Sequence, residues 1–255
     1  MEWNITGVAI GTIFGEVLAF IVGLAVCWRL LDHSVRPSRN RILEFQAWKR
    51  LIALNADIMV RSFALLFAFA YFTSQGAAFG KVTLAANAVL MHFFMIAGYF
   101  LDGLATAAEQ ICGRAVGANY KYGFWRGLKL SGFWNMIMAI VCTIIFISFG
   151  PFLIDLMTTS QEVRNEAYAH LYWSAMIPLT GVLAFQMDGV FIGATWSRDM
   201  SVFMVLSLIL YLLTWQLVKQ PMGNHGLWFS LHVFVIARGI TLFVRVPGNV
   251  RKTFG

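Results

Sequence analysis

"LSGFWNMIMAIVCTIIFISFGPFLI", residues 130–154, runs for twenty-five residues without a charge. As an α-helix it would reach about 37 Å, enough to cross the roughly 30 Å hydrocarbon core of a bilayer. A transmembrane strand needs only about ten residues of alternating polarity, and this stretch does not alternate. The same pattern recurs on both sides of it. Uncharged runs cover 62–80, 82–101, 167–187, 200–218 and 220–237, and a further apolar segment at 3–28 is interrupted only by Glu16. The spacing predicts seven membrane-crossing helices, hence an all-α, polytopic membrane protein.

Composition excludes the alternatives. The 255 residues are 59% hydrophobic and 12% charged, with a mean hydropathy of +0.72. Soluble domains carry about twice that charge fraction, and a soluble domain of this size has too much surface to hide so many apolar residues. The net charge of +7 sits between the spans, which fits membrane orientation and gives no nucleic-acid footprint. Membrane lipid is the expected partner. Cys27, Cys112 and Cys142 are far apart in apolar sequence, so neither a disulfide nor a metal site is expected. With no phosphate-binding loop and no nucleophile paired with a base, an enzyme is not expected either, nor a cofactor beyond a coupling proton or sodium ion.

The basic residues give orientation. Successive connections hold six Lys and Arg, then one, four, one, one and one, with three after the last span. That alternation predicts an outside N-terminus and a cytoplasmic C-terminus. The first apolar segment lacks the basic start of a cleavable signal. A count of seven is awkward for two equal repeats but suits a six-helix unit preceded by one leftover helix. The expected organisation is a helix at 1–31 belonging to an N-terminal lobe, a basic cytoplasmic linker at 32–47, and a six-helix lobe at 48–255. The rest of that N-terminal lobe would be missing from this chain.

Ionisable groups within spans are candidate functional residues, because they face a bundle interior or a cavity. Asp188 ends a stretch of 21 uncharged residues, with Pro178 and Gly181 marking a kink before it. Burial would hold it protonated until its cavity hydrates or a cation arrives. Asp102 or Asn87 is expected to approach Asp188 through a region of small residues and share its proton. Asp57 and Arg61, four apart on one helix face, are expected to pair. Glu109 is expected to act structurally with Arg114. His92, His170 and His232 read as packing residues.

"LNADIMVRS" (54–62), "NAVLM" (87–91), "YFLDGLATAAEQICGRAVGAN" (99–119), "MDGVFIGATWSRDM" (187–200) and "GNHGLWFSLHVFVIARGITL" (223–242) resemble the C-terminal half of the multidrug and toxic compound extrusion (MATE) family. The resemblance is strongest to its DNA-damage-inducible F branch. It implies a twelve-helix exporter of two six-helix lobes, expelling amphipathic or cationic small molecules in exchange for protons or sodium. The present spans would be that family's helices six to twelve. The family's tenth-helix acid falls on Asp188. Its seventh-helix glutamate has no equivalent, since "SFALLFAFAYFTSQ" (62–75) holds no carboxylate, and the branch's first-helix acid lies outside the spans present. A C-terminal antiporter lobe is therefore the first reading. A non-transporting remnant or a fragment from a misplaced start is the second, and a lipid-linked flippase of the same superfamily the third.

Overall fold

A computed structural model describes residues 5–30 and 44–255, and among these it contains helices and short connections but no strand. The expected linker falls outside the described residues as far as position 43, including Arg36, Arg39 and Arg41. Contacts divide the chain into two units, Met1–Lys49 and Arg50–Gly255. The first unit carries α1 (Ile5–Leu30). Its side chains from Ile10 to Leu30 are exposed, and they are apolar on every face apart from a few polar groups such as Glu16. A helix apolar all round is built for lipid or for a protein interior.

The second unit is a bundle. It contains α2 (Phe45–Ala77), which begins just before the unit boundary, α3 (Lys81–Gly117), α4 (Lys121–Met157), α5 (Gln161–Gly193) and α6 (Ser197–Phe254). Each helix outruns its uncharged stretch, because a charged residue does not end a helix when its side chain finds a partner or water. At 58 residues, α6 would be about 87 Å long if straight, nearly three hydrocarbon cores. It is broken at Gly223, where φ is 52° and ψ is −131°. That backbone conformation is open to glycine and closed to residues with a Cβ, and Pro221 two residues earlier removes another backbone donor. Among the described residues the arms 197–222 and 224–254 bring the helical segments to seven, in agreement with the seven runs.

Contact between helices is closest where the sequence is smallest. A Cβ placed on Gly189 would lie 2.0 Å from the carbonyl oxygen of Ala105, and one on Gly193 2.2 Å from that of Glu109. The GxxxG spacing on α5 thus lets the α3 backbone come into direct contact, the usual use of small residues in lipid. Buried amides tie the other helices. Asn135 of α4 donates to Gln186 Oε1 of α5 at 2.9 Å, and Gln186 donates to Ser131 Oγ at 2.7 Å. Asn87 of α3 and Asn224 of α6 exchange hydrogen bonds of 2.8 and 3.0 Å. Apolar clusters fill the rest, one around Phe72, Phe93, Trp215 and Trp228 and another around Phe124, Phe191, Met200 and Leu242.

Candidate functional site

Between those clusters lies a group of charges. Asp188 is 5% exposed, and its Oδ2 accepts from two guanidiniums: Arg61 Nη2 of α2 at 3.1 Å and Arg238 Nη2 of α6 at 2.8 Å. Arg238 is only 4% exposed and stacks over the Phe185 ring at 5.8 Å. Asp188 Oδ1, Arg61 Nε and Arg238 Nε are buried without a hydrogen-bond partner among the described residues. All three residues line a cavity of about 160 Å³. Its other walls include Phe69, Phe94, Phe185 and Phe234, and Asp102 of α3 stands exposed at its edge. Asp102 makes no ion pair among the described residues. With both carboxylates ionised the four charges cancel, yet two cations converge on one anion while the other anion stands apart.

Several expectations change here. Asp188 is not a lone acid sharing a proton with Asp102 or Asn87; it is the common counter-ion of two arginines. Asn87 cannot reach it. It lies fifteen residues before Asp102 on α3, about 22 Å along the helix, where it also accepts from Trp228 Nε1 at 3.0 Å. Arg61 does not pair with Asp57, because a buried carboxylate attracts a cation more strongly than a wetted one does. Asp57 instead accepts from Ser201 at 3.2 Å and Ser197 at 3.4 Å, which joins α2 to the start of α6. Glu109 and Arg114 form no ion pair, as five residues along a helix place side chains on different faces. Glu109 lines a shallow groove with Gly113 and Gly193. His92 and His170 each bond through Nδ1 to the carbonyl one turn earlier and His232 through Nε2 to Trp173 O, while His170 Nε2 is buried with no partner among the described residues.

Arg238 is the member that the sequence reading did not single out. A signal for it was present. Seventeen of the 19 Lys and Arg lie in connections or tails, and the two that do not are Arg61 and Arg238. Moreover, Arg61 precedes the run 62–80, whereas Asp102, Asp188 and Arg238 end the runs 82–101, 167–187 and 220–237. Helices that alternate in direction bring those four run ends to one level. Lys129 and Asp199 bound the other two runs in the same way but do not line this cavity.

Long apolar helices packed around a buried ionic cluster define a multi-pass membrane protein. Residues 58–214, more than half of the chain, match the MatE family model, and the chain belongs to this family of membrane transporters. It is 34% identical over 251 residues to DNA damage-inducible protein F of Escherichia coli, covering 95% of this chain and 53% of that protein. It is 23% identical to the chloroplastic protein DETOXIFICATION 44 of Arabidopsis thaliana, covering 93% of this chain and 45% of the relative. The chain thus spans about half the length of the curated relatives it matches. The fold is similar to that of the Vibrio cholerae MATE transporter VcmN in its bent form. The TM-score there is 0.79 at 19% identity, over 93% of this chain and 55% of that one. It is also similar to a Pyrococcus furiosus transporter of the MOP superfamily, described as having a binding pocket of reverse polarity that suggests a different function. That match has a TM-score of 0.69 at 17% identity, over 76% of this chain and 44% of that one.

Proposed function

We propose that this chain works as the C-terminal lobe of a secondary active exporter of small amphipathic organic molecules, driven by inward flow of protons or sodium ions. The observation that carries the reading is the cavity between α2, α3, α5 and α6, whose apolar walls end on Asp188, Arg61, Arg238 and Asp102. Intramembrane charges of this kind mark substrate or ion pathways, and membership of a transporter family supports the same reading over a catalytic one. Asp102 is the carboxylate open to a proton, a sodium ion or a cationic group, since Asp188 is engaged by two arginines. Asp188 organises the charges, and Asn87 holds α3 against the broken α6. The basic residues between spans support an outside N-terminus and a cytoplasmic C-terminus, and the likeness to the E. coli relative supports a bacterial inner membrane.

Transport in this architecture needs two lobes that alternate around a shared cavity, and one lobe's worth of the relatives' length is present here. The chain by itself is expected to be inactive. The test is drug accumulation in an efflux-deficient strain expressing the chain alone or together with the N-terminal half of the E. coli relative. Only the pair should lower accumulation, and an uncoupler should abolish the effect. Uncoupler-insensitive efflux, or efflux by the chain alone, would contradict the proposal.

A further inference from the structure

We infer that the cavity beside Asp188 takes the anionic head group, a carboxylate or a sulfonate, of an amphipathic substrate, held by Arg61 and Arg238. The inference rests on reading this cavity as the transport site and concerns which chemistry it recognises. Arg238 is 4% exposed, and a guanidinium that deep is retained where it meets an anion. Each arginine offers several N–H donors in a fixed planar fork, yet one nitrogen of each reaches the same Asp188 oxygen. Among the described residues the Nε of both is buried and unpartnered, as is Asp188 Oδ1, and each guanidinium keeps N–H donors beyond the one given to Asp188 that can turn to a second oxyanion. Asp188, Arg61 and Arg238 together carry one net positive charge, and Asp102, the balancing carboxylate, forms no ion pair among the described residues.

Size and lining agree with a head-group subsite. A volume of about 160 Å³ is smaller than the roughly 300–1,000 Å³ of a pocket for a whole drug-sized ligand. It suits one charged group with part of its ring, the remainder lying beyond the Asp102 edge. Phe69, Phe94, Phe185 and Phe234 supply the apolar walls. A substrate carrying a cation as well could set that group against Asp102. A simple cation would meet two guanidiniums and a single disengaged carboxylate.

The test uses the 255-residue chain in lipid nanodiscs, with anilinonaphthalene sulfonate and its sulfonate-free analogue phenylnaphthylamine as probes. Binding is read by energy transfer from the protein's tryptophans, with empty nanodiscs as the blank. The sulfonate should bind about tenfold tighter than the neutral analogue, the gain typical of a charge-assisted contact. Arg61→Gln and Arg238→Gln should each remove most of that preference, read as the ratio of sulfonate to phenylnaphthylamine affinity in the same variant. Asp102→Asn should strengthen sulfonate binding by removing an opposing charge. Should Arg238→Gln fail to fold, Arg238→Lys, Arg61→Gln and Asp102→Asn decide the matter. Equal binding of the two probes, or a preference indifferent to Arg61 and Asp102, overturns the inference. Tighter binding of a quaternary ammonium with the same ring system overturns it too, while leaving the transporter reading in place.

Discussion

Asp188 and Asp102 face one cavity but occupy opposite places in its charge pattern. Removing the charge of Asp188 leaves two guanidiniums without a counter-ion, one of them 4% exposed. Breaking a buried pair from one side costs about 3–5 kcal/mol, so Asp188→Asn should lower stability by that order despite keeping the side chain's shape. Asp102 is exposed and forms no ion pair among the described residues, so Asp102→Asn should stay within about 0.5 kcal/mol of the parent. Thermal melts of the two variants in the same detergent check the contrast, and equal losses would show that Asp188 is not the keystone of the cluster. This asymmetry was only half legible in the sequence. Asp188 stands out because it ends a long uncharged run. Arg61 and Arg238 stand out too, as the two basic residues outside connections and tails, but their pairing with Asp188 does not, since they sit 127 and 50 residues away and become neighbours only when three helices are placed. Local spacing favoured Asp57 for Arg61, and that pairing lost to the buried carboxylate.

Among the elements, α5 depends on absent side chains. Methyl groups at Gly189 and Gly193 would fall 2.0 and 2.2 Å from α3 carbonyl oxygens, so backbone would have to separate. Overpacking usually costs about 1–3 kcal/mol, and Gly189→Ala and Gly193→Ala should sit at or above the top of that range. Gly103 of α3 has open space around it, so Gly103→Ala should instead gain about 0.5–1 kcal/mol through helix propensity. Equilibrium unfolding in mixed detergent gives both signs, and a harmless Gly189→Ala would contradict the close approach. At Gly223 the space is open, with Phe79 at 3.9 Å, but φ is +52°. The cost of Gly223→Ala, about 1–3 kcal/mol, should therefore come from the backbone alone. The sequence showed the small residues and what they permit in lipid. It did not show that they press on Ala105 and Glu109, because register between helices is a property of the packed bundle.

For the whole molecule, the break at Gly223 decides the topology. From the loop at 78–80 the chain crosses on α3, α4 and α5 and then on the two arms of α6, an odd number of passes. Reporters at 78–80 and at Gly255 should therefore label opposite sides of the membrane. Labelling on the same side would mean that α6 crosses once. The seven spans were readable because apolar length is recorded locally along the chain. The cluster was not, because it is assembled from the ends of runs pointing in opposite directions. The most direct measurement of its existence is a double-mutant cycle of Asp188→Asn and Arg238→Gln in the reconstituted chain. A coupling of at least about 1.5 kcal/mol is expected, with the neutral double variant more stable than Asp188→Asn alone. Single effects that simply add would contradict the ion-pair core on which the account rests.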